Sequence, residues 1–319
     1  MKDYQLDAAV VLRRNYDDLP FRAEKDAEIA QRVNDRAVTV LERLGEGYTY
    51  LLPESLEAER REELERKRLL SPDAKEAVGG CAYLREDDAL CLEVGGVDHL
   101  RVAAYHENGD LRACLQEALT LAGRLEDTGR IAQSAQYGFL TAYPSDAGTG
   151  MRASVALHLP MISQIKQLPA AAKMASNGGM TLRPLADGIC LLENRITMGL
   201  DEAALIEKLA AVCKSVCTLE RSLRWRAKER RDLIIADKGW RAYGVCQYAL
   251  RMNRQETLRL WSDLVLGLSV GEVPYTEETA DAIWRIAHMS NEALTRDNGL
   301  HPDVERARRV RALMNRGGN

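Results

Sequence analysis

The stretches of this chain that read as β-strands all lie before Gly199, whereas from Asp237 onward the apolar residues recur almost only at helical spacing. That change of period restricts the fold to a mixed part followed by an all-helical part, with the boundary near 233–237. The expectation is an α+β architecture: an antiparallel sheet flanked by helices over residues 1–234, then a helical domain over 235–319.

Within the first part, Ile29, Val33, Ala37, Val40, Leu41 and Leu44 predict a helix over 24–44, ended by Gly45 and Gly47. Residues 54–68 carry acids and bases three and four apart, as in an exposed, ion-paired helix. Residues 81–94 and 100–105 read as two strands joined through 95–99, and 181–199 as a strand pair. A helix is expected over 111–127, and a long amphipathic one over 201–231 with Asp201 as its N-cap. The later helices are expected over 240–252, 255–266, 277–294 and 304–314, with breaks at 267–269 and 297–299.

Charge narrows the partners. Lysine and arginine total 44 against 48 acids, a formal charge of −4, which gives no argument for nucleic acid or an anionic membrane. No apolar run reaches the roughly 18–20 residues of a membrane helix, and the first residues lack the apolar core of an export signal, so a cytoplasmic protein is expected. The seven cysteines include no C-x-x-C and read as reduced thiols. Cys213 and Cys217 lie one helical turn apart, but with no histidine near them in sequence they fit a buried helix face better than a zinc site.

The segment G-F-L-T-A-Y-P-S-D-A-G-T-G-M-R-A-S-V-A-L-H-L-P at 138–160 carries the most chemistry. Gly148 and Gly150 allow close backbone approach to an anion, and the Arg152 fork suits phosphate. By physics alone that is a weak signal, since glycine is common at any tight turn. The string itself closely resembles the signature of ATP:guanidino phosphotransferases, and the bacterial protein-arginine kinases in particular. So do R-L-L-S-P at 68–72, G-G-C at 79–81, D-H-L-R at 98–101, I-T-M-G at 196–199 and R-A-Y-G-V at 241–245. The stretch E-T-L-R-L-W-S-D-L-V-L-G-L at 256–268 is similar to the helical dimerisation domain of those kinases. The resemblance implies the phosphagen-kinase fold, a catalytic sheet of the glutamine-synthetase-like kind, with ATP and Mg2+ as cofactors.

Phosphoryl transfer to a guanidinium needs fixed cations around the triphosphate and carboxylates that orient and deprotonate the acceptor. The resemblance assigns nucleotide contacts to Arg14, Arg152, Arg183 and Arg195. Two arginines of the family's first strand are missing, as though residues before Arg13-Arg14-Asn15 were deleted, which is expected to shift the backbone there. Pro184 follows Arg183 in place of a glycine, and the loop beyond it is the shorter L-A-D-G-I-C-L-L. Where the family carries an asparagine and two glutamates, one of them the proposed base, this chain has Gly95, Gly96 and Val97. Asp98 and Glu93 are the remaining candidate bases, although Asp98 and His99 fit local hydrogen bonds at a turn better. Tyr143 stands where the family keeps a reactive cysteine, and its ring is expected to fill the former acceptor pocket.

The last helix gathers Arg306, Arg308, Arg309 and Arg311, resembling the segment with which the bacterial kinases sense phosphoarginine, but with Ala307 in place of the aspartate. These arginines read either as a phosphate or acidic-partner site or as cations at a helix end. Taken together, the sequence points to a catalytically impaired relative of the protein-arginine kinases that acts by binding or dimerisation. The alternative is an active kinase for protein arginine or another guanidino acceptor, working through a rearranged site. The partners the resemblance implies are a second copy, an active kinase paralogue, a zinc-finger activator, or a protease adaptor or chaperone.

Overall fold

The computed structural model describes residues 4–45, 47–186, 188–271, 274–296 and 299–316. The architecture is α+β, as the sequence implied. One antiparallel sheet contains β1 (Gln5–Arg14), β2 (Tyr48–Leu51), β3 (Cys81–Arg85), β4 (Leu90–Val94), β5 (Leu100–His106), β8 (Met151–His158), β9 (Met180–Ala186) and β10 (Ile189–Asn194). Its strand order is β2-β3-β4-β5-β1-β8-β10-β9. Residues Gln133–Ser134 and Gly138–Phe139 form a separate two-stranded pair, β6 and β7.

The opening stretch, short of obvious pattern in sequence, is the central strand. Residues 6–12 of β1 are buried because the strand has a neighbour on each side and cover on both faces. Residues 81–94 are a hairpin rather than one strand: the polar Glu86-Asp87-Asp88 turn, with Asp88 at φ 56, reverses the chain between β3 and β4. Arg85 ion-pairs with Asp87 across that turn.

One face of the sheet, with Val10, Leu12, Val102 and Val155, packs under α1 (Ala27–Leu44), α3 (Leu111–Glu126), α5 (Leu168–Asn177) and α6 (Glu202–Glu229). The caps are those the side chains dictate: Asp26, Asp110 and Asp201 each accept backbone N–H groups from the first turn of the helix they precede. On the other face, Val11, Cys91 and Ala103 are covered by Leu64 of α2 (Ala58–Arg66) and by Leu69, Leu70 and Ala74. α4 (Pro160–Gln164) follows β8.

The helices after residue 232 are α7 (Leu233–Tyr248), α8 (Arg254–Val270), α9 (Glu277–His288), α10 (Asn291–Thr295) and α11 (Pro302–Arg316). They share an apolar cluster around Trp261, Leu264, Ile283 and Val310 that also takes in Ala156, Ile189 and Leu191 from the sheet. The position between 234 and 235 lies within the first turn of α7. α8 runs through the expected break at 267–269 and stops instead at Gly271, whose φ of 86 suits a left-handed cap. The helix expected over 277–294 is two, separated at Met289-Ser290, where Ser290 caps α10. Of the break at 297–299, residues 297 and 298 lie outside the described residues.

Candidate functional site

Antiparallel pairing decides which side chains share a face, because directly opposed residues point the same way. Arg13 opposes Arg101, Val11 opposes Arg152, and Ser154 opposes Glu193, so these positions fall on one face of the sheet. Arg183 opposes Leu191 and Glu193 opposes Thr181, which extends the face into β9. Glu93 opposes Arg101. A row of guanidinium and carboxylate groups therefore runs across six strands. After a register shift between Gln5 and Asp7, β1 pairs in register through Leu12 with β8 and through Arg14 with β5, so Arg13 and Arg14 lie on regularly paired strand.

Each guanidinium in the row has an acidic neighbour. Arg152 donates from Nε and Nη2 to Oδ1 of Asp146, at 2.8 and 2.5 Å, and from Nη1 to the Asn194 carbonyl. Arg13 Nε lies 3.6 Å from Asp98 Oδ2 and 3.7 Å from Asp146 Oδ2. The result is an alternating chain, Asp98–Arg13–Asp146–Arg152, with no net charge. Arg101 donates to Glu93 and to the carbonyls of Arg68 and Leu69, and burial pushes its pKa down, with Glu93 opposing the shift. Arg183, on the exposed edge strand, pairs with Glu193 at 3.4 Å.

Asp146 is held in place by a network of backbone contacts. It ends the 3-10 turn Pro144–Asp146, whose chain is tied by Thr197 Oγ1 donating to the Ser145 and Ala147 carbonyls. The Gly-Thr-Gly turn is a seam rather than an anion cradle: Gly148 N–H donates to Phe139, Thr149 N–H to Thr197, and Met151 N–H to the Thr149 hydroxyl. A Cβ on Gly148 would sit 2.4 Å from the Thr197 carbonyl oxygen, so glycine serves close chain packing there.

The candidate bases are engaged. Glu93 is buried and accepts from the Ser71 amide and hydroxyl as well as from Arg101. Asp98 is buried, and its Oδ1 accepts from Asn15 Nδ2 and the Ala142 amide, both at 2.7 Å. These bonds, and those of His99 to the Tyr16 amide and the Pro20 carbonyl, join distant segments rather than closing the local turn the sequence suggested.

Two of the sequence-assigned arginines lie away from the row. Arg14 is 2% exposed, donates to the Arg13 and Thr149 carbonyls, and lies 3.5 Å over the Phe139 ring. Burial pushes its pKa down to about 10 against the opposing pull of Glu202 and Glu126. Arg195 is exposed and follows β10. The structure adds Asp146, Arg13 and Arg101 to the row; the D-H-L-R string held Arg101, but an acid six residues before Arg152 gave no sequence signal.

Beside Glu93 a cavity of about 500 Å3 is lined by the Gly96-Val97 turn, Ser71, Glu24, Asp73, Glu76, Arg22 and Tyr143. Tyr143 does not fill it: the ring is 46% exposed, with the Arg22 guanidinium 5.9 Å from its centre. In the last helix, Arg308 and Arg309 both pair with Glu305, Arg311 donates to the Ala249 carbonyl, and Arg306 is buried against Met252 and Asp303. The four do not form one exposed phosphate cluster.

The Arg152 fork as arranged does not fit a nucleotide phosphate: phosphate there would meet the Asp146 carboxylate already seated in it.

Comparison with known proteins agrees with the sheet. A protein-arginine kinase of Desulforamulus reducens is 36% identical over 222 residues, covering 67% of this chain and 62% of the relative. Those of Symbiobacterium thermophilum and Caldanaerobacter subterraneus subsp. tengcongensis are 30% and 28% identical; they cover 98% and 99% of this chain and 93% and 98% of their own lengths. Among solved structures, the substrate-free duplicated taurocyamine kinase from Schistosoma mansoni superposes with a TM-score of 0.57 at 21% identity, over 68% of this chain and 33% of that one. Lombricine kinase gives 0.60 at 17% identity, over 70% and 68%. Residues 28–223 match the family model described as ATP:guanido phosphotransferase, C-terminal catalytic domain, and the chain belongs to that family.

Proposed function

We propose that this chain is a protein-arginine kinase homologue impaired in phosphoryl transfer, which acts in the cytoplasm by binding and by pairing with a second copy. The observation that carries the reading is the state of its carboxylates. Glu93 gives both oxygens to Ser71 and Arg101, and Asp98 gives Oδ1 to Asn15 and Ala142 while its Oδ2 faces Arg13, so both carboxylates are held in their charged form by donors and cations that oppose taking a proton from an acceptor guanidinium. The open acidic cavity beside Glu93 is compatible with holding a cationic side chain without reacting with it. The helices from 235 onward are proposed as the dimerising domain, on the exposed side of α7. A kinase paralogue, a zinc-finger activator and a protease adaptor or chaperone are the other candidate partners.

The test is incubation of purified protein with magnesium ATP and an arginine-rich protein, followed by measurement of acid-labile phosphate. No phosphate above a no-enzyme control is expected; turnover abolished by Arg152→Ala would end the reading.

One observation favours an active enzyme with a rearranged site. Glu24 lines the same cavity, and its Oε2 is buried without a hydrogen-bond partner while Oε1 faces Arg22. In that case turnover is present and Glu24→Gln removes it.

A further inference from the structure

We propose that Asp146 is the residue that closes the phosphate position of this sheet, its carboxylate occupying the Arg152 fork where a polyphosphate oxygen would otherwise bind. The inference rests on the reading of an impaired site and names the side chain responsible for the loss of anion affinity.

Three features of the structure support it. The contact is two-pronged, with Nε and Nη2 of Arg152 both donating to one carboxylate oxygen in charge-assisted hydrogen bonds. The other oxygen faces Arg13, so one buried acid lies between two cations. Arg13 Nη1 is buried and has no hydrogen-bond partner among the described residues, leaving an unsatisfied donor at the centre of the row. Donors of that kind are rare in folded proteins and belong beside an acceptor.

The closure is also fixed in the backbone. Thr197 and the Pro144–Asp146 turn fix the backbone that carries the acid, and Asp146 is itself buried rather than a surface carboxylate. An incoming polyphosphate must either displace it or lie against it, and like charges at that range repel strongly where solvent is excluded. Asparagine has the same shape but no charge; in Asp146→Asn the row Asp98–Arg13–Asn–Arg152 carries one net positive charge, and the Arg13 donor remains available.

The experiment measures binding of sodium tripolyphosphate, and separately of magnesium ATP, by calorimetry on the full chain. The wild type, Asp146→Asn, Asp146→Ser and Asp146→Asn combined with Arg152→Ala are compared. The expected result is at least tenfold tighter tripolyphosphate binding by Asp146→Asn than by wild type, and loss of that gain in the double variant. Asp146→Ser provides the same comparison if the asparagine variant folds poorly. Equal affinity of wild type and both single variants, with melting temperatures unchanged, overturns the proposal. Acid-labile phosphate is assayed in parallel. A wild type that transfers phosphate overturns the reading of an impaired site, whereas silent variants that gain no anion affinity overturn only the role of Asp146.

Discussion

The Ser71 amide and hydroxyl both donate to the Glu93 carboxylate, at 2.9 and 2.5 Å, and this pair fastens the segment after α2 to the sheet. Arg101 completes the lock from beneath, donating to Glu93 and to the carbonyls of Arg68 and Leu69. The R-L-L-S-P and D-H-L-R strings thus meet in one structural joint. Glu93→Ala leaves Arg101 buried without its counter-charge, a loss of about 3 kcal/mol by the behaviour of broken buried pairs. Ser71→Ala should remove about 1 kcal/mol. Urea unfolding followed by tryptophan fluorescence checks both, and a Glu93→Ala protein as stable as wild type would remove the joint from the account.

Arg14 braces the Gly-Thr-Gly seam: a Cβ on Gly150 would stand 2.9 Å from its Nη1, and Phe139 covers its planar face. Lysine cannot reproduce the stack and the two carbonyl bonds together. Arg14→Lys is expected to lower stability by about 2 kcal/mol, in the range for losing hydrogen bonds from a charged buried group. The same change should leave the tripolyphosphate affinity of Asp146→Asn within a factor of about three. A tenfold loss of that affinity would put Arg14 in the anion site after all.

Much of the frame was legible in the sequence, and what was missed has identifiable causes. The helix over 201–231 and its Asp201 cap were readable because periodicity and capping are local. β1 was obscure because a central strand buried on both faces has no alternation to recognise. The hairpin at 81–94 was read as one strand because its turn holds no glycine or proline, only polar residues with Asp88 in the left-handed region. In the site, the loss of the acid pair at Gly96 and Val97 was visible as residue types. The pairing of Asp146 with Arg152 was not, since it depends on how Thr197, 50 residues beyond the Ala147 carbonyl it bonds, holds the turn. Nor did the sequence separate Arg14 from Arg13, adjacent residues whose strand parity sends one into the core and the other onto the reactive face.

His158 joins the sheet to the C-terminal helices. Its Nε2 contacts the Ser262 hydroxyl at 2.9 Å, and its Nδ1 faces Arg224 Nη2 at 3.3 Å. Arg224 can only donate, so Nδ1 accepts and the ring is neutral. Burial, with Arg224 nearby, holds its pKa well below the ordinary value, and burial brings His288 down to about 3. A depressed histidine contributes stability that is present above the unfolded value near 6.5 and lost as pH falls. Stability should therefore drop between pH 6.5 and 5, by up to about 1.4 kcal/mol per pH unit for each of the two rings. His158→Asn should flatten that slope by about half. Urea midpoints at pH 7, 6 and 5 decide it, and a pH-independent midpoint contradicts the assignment.

All seven cysteines are buried and none is in a disulfide. Burial pushes Cys81 and Cys190 up to about 11 and Cys114 and Cys246 up to about 12, which leaves almost no thiolate at neutral pH. Iodoacetamide at pH 8 is expected to label fewer than one thiol per folded chain over an hour, and all of them in urea. Rapid labelling of a single cysteine in the native protein would reveal a reactive thiol that this packing denies.

α7 presents an apolar surface that the other described residues leave open: Leu233 is 81% exposed and Tyr248 73%, with Ile234 and Trp240 between them. Leu233 and Tyr248 lie at opposite ends of the helix, and Trp240 and Arg241 lie at its middle. An antiparallel crossing about a twofold axis then sets Leu233 of one copy against Tyr248 of the other. At the crossing, Trp240 meets Arg241, a pairing of aromatic face and guanidinium. Gly244, with no heavy atom within 4 Å of the place a Cβ would take, allows close approach near that point. A second copy is the proposed occupant of this face, because the pattern is complementary to itself, as an isologous contact requires. Trp240→Glu should raise the dimer dissociation constant at least a hundredfold, about 2.7 kcal/mol, without changing the monomer's melting. Sedimentation velocity across micromolar concentrations is the measurement; a wild type that stays monomeric throughout removes the dimer from the proposed function.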